Sequence, residues 1–464
     1  MTSTERHIKP GISSGEMFLP EGSVYFLGIG GIGMSALARY FHSRGVKVSG
    51  YDKTSTELTR MLEHEGINVH YSDDTELLDK EAKLVVYTPA VPSDHKELNY
   101  YQNNNYDIRK RSEVLGMITS SSYNICVAGT HGKTTTSAMI AHLLRHSGVG
   151  CNAFLGGIAT NYGTNFWSSS VNVSVAEADE YDRSFLSLNP DIAVITSMDP
   201  DHLDIYGTEK NMQDAFLQFR EKVKTGGLLI YKKGIARENE LKAGRMMSYS
   251  LSDNRSDAFA ENIKVENGCY RYDITVRDKR ISGMYLEMGG RHNIENSVVA
   301  TVTALELGIG EDKIRAAIAD FKGVKRRFEY IIKSDERVFI DDYAHHPQEL
   351  SALLNGVKDL YPHKKITIVF QPHLYTRTRD LAEEFAGVLG MADEVLMLPI
   401  YPARELPIAG VTSNMVAKKI KGKVDVVEMT DLPGVIGKMQ PELLITAGAG
   451  DIDTMLGKIK KALS

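Results

Sequence analysis

The sequence predicts an α/β protein of three domains, each with an open, mostly parallel sheet and flanking helices. Strand-like apolar runs alternate with amphipathic, helix-like stretches along almost the whole chain, which is the pattern of β–α units. A chain of 464 residues is too long for one hydrophobic core. Polar, linker-like stretches near residue 120 and at residues 323–330 divide it, so we place the domains at residues 1–121, 122–325 and 326–464.

The individual elements follow from local periodicity. A buried strand at residues 24–30 enters a glycine turn, and "MSALARYFHSRG" then has helical spacing up to a glycine stop. Residues 269–288 alternate in period two around a polar turn, which predicts a hairpin at a sheet edge, and a helix is expected over about 294–307. The other strand predictions are "VKVSGYD", "LVVYTPA", "ICVAG", "VNVSVAEADE" and "DIAVITSMDPDHLD" in the first two domains, and "RVFIDDYA", "KITIVFQ", "DEVLMLPIY", "VDVVEM" and "LLITAGAG" in the third.

The composition excludes several classes of protein. With 42% hydrophobic residues, 25% charged residues and a net charge of -6, the chain has no general attraction to nucleic acid or to acidic membranes. The N-terminal stretch lacks the apolar core of a signal peptide, and no apolar run has the length of a membrane span. Cys126, Cys151 and Cys269 fit neither a disulfide framework nor a zinc site, so we expect lone, buried cysteines in a cytoplasmic protein.

A glycine-rich turn follows the first predicted strand. Gly28, Gly30 and Gly33 fit G-x-G-x-x-G between a strand and a helix, and Asp52 closes the next strand, where a ribose-binding acid is expected. Such a turn holds a diphosphate at a helix N-terminus. The pattern by itself leaves three interpretations open: a nicotinamide dinucleotide, another nucleotide diphosphate such as a nucleotide-sugar, or glycines with a purely structural role.

A second glycine-bounded turn, "VAGTHGKTTTSAM", lies at residues 127–139. Gly129, Gly132, Lys133 and Thr134 are the residue types of a phosphate-binding loop, and a strand and a helix stand on the expected sides. Lys133 would lie along the β- and γ-phosphates, and the Thr134 hydroxyl would bind Mg²⁺. The two glycines are three positions apart instead of the usual five, so the loop is a shorter relative of the common motif.

Acidic residues follow two of the strands in the second domain. The stretch "EADEYD" offers Glu177, Asp179, Glu180 and Asp182, and "SMDPDHLD" offers Asp201, His202 and Asp204. Because ligands bind at the carboxyl edge of parallel strands, Glu177 is the preferred metal ligand, while a histidine ligand such as His202 is unusual for magnesium.

The third domain carries basic and histidine-rich stretches after its strands. "FQPHLYTRTRD" contains His373, Tyr375, Arg377 and Arg379, and arginines so placed suit the capture of carboxylate or phosphate. "IDDYAHHP" adds acids and histidines at residues 340–347. A dinuclear metal phosphoesterase that uses Asp201, His202, Asp342 and His345 stays open as an alternative. That function would leave Lys133 and Thr134 without a role.

Two phosphate-binding turns in two domains are more than a dehydrogenase needs. An enzyme that spends ATP on a substrate carrying its own diphosphate needs both. This reasoning favours an ATP-dependent enzyme that acts on a nucleotide-linked substrate.

Motifs in all three domains resemble those of the Mur ligase family. In chain order they are "GIGGIGMSALA", "GTHGKTTT", "EADEYD", "DHLD", "GRHNIEN", "RRF", "DDYAHHP", "FQPHLYTRTRD" and "YPARELPI". The resemblance covers nearly the whole chain, and the set is far more specific than the first glycine turn alone.

The resemblance implies a Rossmann-like first domain that binds a UDP-sugar, a central ATP-binding domain of the P-loop ATPase type, and a Rossmann-like third domain that brings the amino acid and closes. The motifs are most similar to those of family members that join L-alanine to the lactyl carboxylate of UDP-N-acetylmuramate, producing ADP and phosphate. That reaction is a cytoplasmic step of bacterial peptidoglycan synthesis. A related ligase that attaches a tripeptide to the same sugar is the second interpretation, and an NAD-dependent oxidoreductase is a distant third.

The resemblance also implies roles for individual residues. The UDP-sugar is expected at Gly28, Gly30, Gly31, Gly33, Asp52 and Thr88. ATP is expected at Gly129, Thr130, His131, Gly132, Lys133, Thr134, Thr135, Asn293, Asn296, Arg327 and Asp342. Two Mg²⁺ ions are expected at Thr134, Glu177 and His202, and the amino acid at Tyr343, His345, His373, Arg377 and Arg379. Catalysis is assigned to Lys133, Glu177, His202 and Arg379.

The sequence departs from the family pattern in two places. Some family members hold a carbamylated lysine between the metals, but Lys210 follows His202 too closely, so no carbamate is expected. Ala344 stands where the pattern often has glycine. Neither departure changes the implied reaction.

Overall fold

The structure, a computed structural model, describes residues 17–201, 203–403 and 405–464, apart from the side chains of Asp182, Leu203 and Asp204. Three sheets organise this part of the chain. Most of their neighbouring strands are parallel, as the alternation of strands and helices predicts.

The first sheet has five parallel strands in the order β3-β2-β1-β4-β5. The strands are β1 (Ser23–Leu27), β2 (Val48–Tyr51), β3 (Asn68–His70), β4 (Ala82–Tyr87) and β5 (Ile108–Lys110), and the helices are α1 (Ile32–Ser43), α2 (Glu57–His64), α3 (Lys96–Asn103) and α4 (Arg111–Ser120). The central strand β1 is fully buried, because both faces of a parallel sheet are covered by helices. The order of the strands reverses at β1, so a ligand is expected beyond its carboxyl end.

The second sheet has ten strands in the order β15-β14-β13-β12-β11-β10-β6-β9-β7-β8. The strands are β6 (Tyr123–Ala128), β7 (Asn152–Ala159), β8 (Thr164–Trp167), β9 (Val173–Glu177), β10 (Ile192–Ile195), β11 (Leu228–Lys232), β12 (Arg245–Ser250), β13 (Ala258–Glu266), β14 (Cys269–Val276) and β15 (Lys279–Leu286). The helices are α5 (Lys133–His146), α6 (Leu203–Tyr206), α7 (Glu209–Glu221), α8 (Arg291–Glu306) and α9 (Glu311–Asp320). The central strand β6 lies between β9 and β10 and is parallel to both, which places the turn that follows it beside their carboxyl ends.

The third sheet has six strands in the order β16-β17-β21-β18-β19-β20. The strands are β16 (Glu329–Lys333), β17 (Val338–Asp342), β18 (Ile366–Phe370), β19 (Glu394–Met397), β20 (Lys423–Val426) and β21 (Leu443–Ala447). The helices are α10 (Pro347–Leu360), α11 (Tyr375–Asp380), α12 (Ala382–Leu389), α13 (Ser413–Ala417), α14 (Leu432–Met439) and α15 (Leu456–Leu463). Only the edge strand β16 runs antiparallel within this sheet of the described chain.

The chain forms two compact units. One comprises Met1–Asn262, Tyr272–Met284 and Glu295–Phe321, and the other comprises Ile263–Arg271, Tyr285–Ile294 and Lys322–Ser464. The division passes through β13, β14 and β15, parts of which belong to each unit. The first unit therefore contains the whole first sheet and most of the second.

Within the first unit, helix α1 joins the first two sheets. Its Arg39 is almost completely buried, and Arg39 Nη1 donates a hydrogen bond of 2.5 Å to Asn165 Oδ1 on β8. Asn165 Nδ2 in turn donates to the Ile32 carbonyl at 2.5 Å. The Tyr40 ring packs 5.5 Å from that of Phe154, within an apolar core that includes residues of both sheets. These buried contacts fix the first glycine turn relative to the second domain.

The structure confirms the predicted fold class of three α/β sheets, the helix near residues 294–307, and adjacent strands at a sheet edge over 269–288. All three cysteines are buried and free. No helix of the described residues has the length and apolar character needed to cross a membrane. The exact domain boundaries stay a prediction.

Candidate active site

The second glycine turn has the backbone path that an anion site requires. It leaves β6 at Ala128 and enters α5 at Lys133, and Gly129 and Gly132 have φ values of +135° and +81°. A Cβ added at Gly129 would lie 2.0 Å from Thr196 Oγ1, so only glycine fits there. The turn thus runs tightly from a buried strand to the positive end of a helix, where phosphate binds readily.

Side chains after β10 hold this turn in place. Ser197 Oγ accepts a hydrogen bond of 2.8 Å from the His131 N–H and lies 2.9 Å from Thr130 Oγ1. The Thr196 hydroxyl donates to the His131 carbonyl at 2.5 Å. Thr134 and Thr135, in the first turn of α5, are both largely buried. The loop is therefore rigidly supported by the neighbouring strand.

Lys133 lies against this turn and already has two acceptors. Its Nζ donates to the Gly129 carbonyl at 2.7 Å and to Glu180 Oε1 at 2.8 Å. Glu180 is fully buried; burial raises the pKa of its carboxyl, and the charge of Lys133 acts in the opposite direction. Its Nζ also lies 2.7 Å from Glu180 Oε2, so the ammonium group is held against both oxygens of this carboxylate.

Glu177 lies at the carboxyl end of β9, the strand next to β6. Its Oε2 accepts a hydrogen bond of 3.1 Å from the Gly156 N–H. Together with the Thr134 hydroxyl, it supplies oxygen donors of the type that Mg²⁺ prefers. His202, the other predicted ligand, lies outside the described residues, and among those that are described no group of three or more His, Cys, Asp or Glu side chains is arranged to hold a metal ion.

The first glycine turn caps β1 and opens toward the N-terminus of α1. The Gly28 N–H donates to the Tyr51 carbonyl at 2.8 Å, and the φ of Gly28 is +84°. The Gly30 N–H donates to Asp52 Oδ2 at 2.8 Å, so Asp52 holds the turn in shape in addition to its predicted role at a ribose. A Cβ added at Gly28 would lie 3.1 Å from Thr88 Cγ2, which places Thr88 directly beside the turn.

The first glycine turn and Lys133, which directly follows the second turn, line one cavity of about 1060 Å³. All six residues predicted to bind a UDP-sugar line it: Gly28, Gly30, Gly31, Gly33, Asp52 and Thr88. Lys133 and Glu177 line the same cavity. The first glycine turn, Lys133 at the start of α5 and Glu177 at the end of β9 therefore face one space.

Arg111 was not predicted as a functional residue, yet it lies between these two groups. A Cβ added at Gly33 would lie 2.7 Å from Arg111 Nη1, and Arg111 Nη2 is 3.4 Å from Asp179 Oδ2. The guanidinium thus stands over the first turn of α1 and beside the acidic stretch that contains Glu177. Arg111 immediately follows the short strand β5, a position from which a functional role could have been predicted. It was missed because β5 itself was not predicted.

Asn296 and Asn293 lie on α8. Asn296 Oδ1 accepts a hydrogen bond of 3.0 Å from Thr136 Oγ1, so Asn296 adjoins the helix that follows the second glycine turn. Asn293 is buried, and its side-chain amide donates to the Gly289 carbonyl at 2.6 Å. The contacts with adenine stay a prediction for both.

The predicted residues of the third domain gather at the carboxyl edge of the third sheet. Asp342 accepts hydrogen bonds of 2.7 Å from the N–H groups of Phe328 and Ala344. Burial raises the pKa of Asp342 to about 6, and these two hydrogen bonds and the nearby charge of Arg327 act against that rise.

Histidines form an aromatic group beside Asp342. The His345 ring lies 5.3 Å from the Tyr343 ring and 6.0 Å from the His373 ring. Burial lowers the pKa of His373 to about 4, and the charges of His345 and Arg377 act in the same direction. Tyr343, His345, His373 and Arg377 thus lie close together, and their role at the amino acid stays a prediction.

Arg379 has a different environment. It is exposed, and its Nε pairs with Asp380 Oδ1 at 2.7 Å. Its predicted catalytic role stays a prediction. Lys210 is also exposed and pairs with Asp214 at 2.8 Å.

Fold and cavity together define an α/β protein in which a glycine-rich turn and the lysine that follows a second glycine turn line one cavity. Family models match successive parts of the chain: the Mur ligase family catalytic domain at residues 23–123, the Mur ligase middle domain at 127–304 and the Mur ligase glutamate ligase domain at 326–451. The chain belongs to the Mur ligase family.

Relatives within the family match nearly the whole chain. A UDP-N-acetylmuramate–L-alanine ligase of Phocaeicola vulgatus is 49% identical over 445 residues, which is 94% of this chain and 97% of the relative. The enzyme of the same name from Christiangramia forsetii is 47% identical over 446 residues, covering 95% and 97%. The crystal structure of UDP-N-acetylmuramate–alanine ligase from Thermotoga maritima superposes with a TM-score of 0.82 at 28% identity, covering 95% of this chain and 98% of that one.

Proposed function

We propose that this protein is an ATP-dependent ligase that joins L-alanine to the lactyl carboxylate of UDP-N-acetylmuramate. The products are UDP-N-acetylmuramoyl-L-alanine, ADP and phosphate. The observation that carries the proposal is the single cavity lined by both the first glycine turn and Lys133. Sequence identity of 47–49% to ligases of that name supports the choice of substrates.

The chemistry requires an activated acid, because a carboxylate has no good leaving group for attack by an amine. Transfer of the γ-phosphoryl group of ATP to the lactyl carboxylate gives an acyl phosphate, whose carbonyl the amine of alanine then attacks. Phosphate leaves from the tetrahedral intermediate, and an amide remains. Lys133 is placed to neutralise charge on the transferring phosphoryl group, since it lies in the turn that holds the triphosphate.

Thr134 and Glu177 would hold the first Mg²⁺, and His202 the second. The bound metal neutralises phosphate charge and aligns the phosphoryl group with the attacking carboxylate. The oxygen donors of Thr134 and Glu177 fit that role, and the number of ions is part of the proposal.

The third domain would supply the amino acid and part of the ATP site. Asp342, with Arg327 nearby, is assigned to the ribose of ATP. The aromatic and basic group of Tyr343, His345, His373, Arg377 and Arg379 is assigned to alanine. A domain that completes the site on closure keeps water from the acyl phosphate. The reaction belongs to bacterial peptidoglycan synthesis in the cytoplasm, where these substrates occur.

The test is phosphate release measured with ATP, UDP-N-acetylmuramate and a panel of amino acids. We expect release to require both the UDP-sugar and L-alanine. The panel includes the tripeptide L-alanyl-γ-D-glutamyl-diaminopimelate; preference for it over alanine would make the protein a recycling ligase. ATP hydrolysis that is indifferent to both co-substrates would contradict the proposal.

Lys133→Ala provides the matching mutational test. We expect it to lower kcat by about 100-fold or more, because it removes the charge opposite the transferring phosphoryl group. UDP-sugar binding by isothermal titration should be retained. Lys210→Ala, which removes an exposed lysine of the same domain, is the control and should leave kcat unchanged. Loss of UDP-sugar binding in Lys133→Ala would contradict the assignment of the two turns.

A further inference from the structure

Arg326 belongs to the "RRF" stretch, but the proposed reaction uses only its neighbour Arg327. The backbone of Arg326 is left-handed, with a φ of +61°, a conformation that costs energy for a residue with a Cβ. Its carbonyl accepts a hydrogen bond of 2.6 Å from the Tyr343 N–H, and its own N–H donates to Glu329 Oε2 at 2.9 Å. These bonds hold Arg326 against the loop that follows β17.

The guanidinium of Arg326 is bonded to the turn at residues 448–450, which follows β21. Nη1 donates to the Gly450 carbonyl at 3.1 Å, and Nη2 donates to the Gly448 carbonyl at 2.5 Å. The carboxylate of Asp341 is fully buried, and its Oδ2 lies 3.6 Å from Arg326 Nε, so it compensates the charge of a side chain that is only 18% exposed. The flat fork of the guanidinium thus holds two carbonyls of one turn at once.

The same guanidinium lies against the ring of Tyr343, with its central carbon 5.0 Å from the ring centroid. That ring begins a row of four aromatic side chains. The distances between successive ring centroids are 5.3 Å from Tyr343 to His345, 6.0 Å from His345 to His373, and 5.7 Å from His373 to Tyr401. The first three members of this aromatic row are the ones assigned to the amino acid.

The turn at residues 448–450 supports the other end of the aromatic row. A Cβ added at Gly450 would lie 2.8 Å from Tyr401 Cβ, so the turn packs directly against Tyr401. A Cβ added at Gly448 would lie 2.6 Å from the Gln371 carbonyl oxygen, just ahead of His373 in the chain. Arg326 therefore contacts the first ring of the row directly and the last ring through this turn.

We propose that Arg326 is a positioning residue that fixes the width of the pocket for the side chain of the amino acid. This inference rests on the proposed function. A methyl side chain offers few contacts, so a site that selects alanine must exclude larger side chains by its shape. Because one group holds both ends of the aromatic row, the row does not spread to admit them.

The test is phosphate release by the full chain with saturating ATP and UDP-N-acetylmuramate. The amino acid is L-alanine or L-2-aminobutyrate, which is larger by one methylene. We expect Arg326→Ala to raise the KM for L-alanine and to reduce the preference in kcat/KM for L-alanine over L-2-aminobutyrate by about tenfold. The KM for ATP and for UDP-N-acetylmuramate should stay unchanged. Arg326→Lys keeps the charge without the planar fork, so it should restore the preference only in part.

Arg337→Ala is the matched control. Arg337 also donates to a carbonyl, that of Leu463, and to Gln440 Oε1 at 2.6 Å, but it precedes β17 and so lies at the opposite end of that strand from Tyr343. The control should leave the KM for L-alanine and the amino-acid preference unchanged.

A wild-type KM and a wild-type preference in folded Arg326→Ala, with only the thermal unfolding midpoint lowered, would show a purely structural role and overturn the inference. Should that variant not fold, the same result in Arg326→Lys would overturn it. In either case, alanine-dependent phosphate release by the wild type would leave the proposed function standing. Absence of that release would instead overturn the proposed function, and the inference with it.

Discussion

At the scale of single residues, the charge of Lys133 is shared between the turn it belongs to and Glu180. Glu180 Oε2 lies 2.7 Å from Lys133 Nζ and its side chain is 1% exposed. A buried carboxylate at that distance holds the ammonium in one place, because separating the two would leave a charge without compensation. Glu180 therefore positions the lysine against the second glycine turn.

Glu180→Gln tests this positioning. The amide keeps an acceptor but loses the charge, so Lys133 is held less firmly, and small misplacements of a charged group reduce turnover strongly. We expect kcat to fall roughly 10- to 100-fold with little change in the KM for UDP-N-acetylmuramate. Glu221→Gln, at an exposed position of α7, is the control. Wild-type kcat in Glu180→Gln would show that Glu180 has only a structural role.

Residue types were enough to predict the members of the candidate site, but not the contacts between them. The glycine turn and the Gly–Lys–Thr turn were identified because each needs particular residues at fixed spacing. The bond from Gly30 to Asp52 and the location of Arg111 depend on how the chain folds over the turn, and no local pattern encodes them.

At the scale of elements, steric crowding around Gly129 fixes the conformation of the second glycine turn. At Gly129, both a φ of +135° and Thr196 Oγ1 at 2.0 Å from a Cβ exclude any other residue. Gly148, at the end of α5, has a φ of +83° but nothing within 4 Å of an added Cβ. Comparing substitutions at Gly129 and Gly148 therefore separates the effect of steric exclusion from the effect of backbone strain.

Gly129→Ala should therefore displace the turn and abolish ligation, and its free energy of unfolding should fall by more than that of Gly148→Ala. For Gly148→Ala we expect a loss of about 1–2 kcal/mol, the cost of a left-handed alanine, with activity retained. Urea unfolding and phosphate release measure the two effects. Equal destabilisation of the two variants, or an active Gly129→Ala, would contradict the geometry of the turn.

Element types were predictable where the apolar runs were long. Buried strands such as β1 and β21 stand out because every residue in them is apolar or small. The three-residue strands β3 and β5 are too short to show periodicity, and β16 begins within a stretch that was interpreted as a linker. Their pairing is set by neighbouring strands, which the sequence alone does not reveal.

At the scale of the whole molecule, buried ionisable groups set how stability depends on pH. Burial raises the pKa of Glu97 from 4.5 to about 7 and that of Asp341 from 3.8 to about 7. Because the folded state holds these protons more tightly, each group stabilises the fold fully below pH 4 and loses that contribution as the pH rises through 7. Histidines act in the opposite direction: burial lowers the pKa of His142 and of His373 from 6.5 to about 4.

Glu97→Gln isolates one of these carboxylates. Between pH 5.5 and 8.5 the carboxylates and the histidines change the stability in opposite directions, because histidines of the unfolded chain still bind protons up to about pH 7.5. The wild-type curve alone therefore does not separate the two sets, but its difference from the curve of Glu97→Gln does, because only the proton of Glu97 is missing from the variant. We expect the free energy of unfolding of the wild type, relative to that of Glu97→Gln, to fall by about 1–2 kcal/mol from pH 5.5 to 8.5. Urea titrations of both proteins over this range measure the difference. A difference that stays constant or rises with pH would contradict the raised pKa of Glu97.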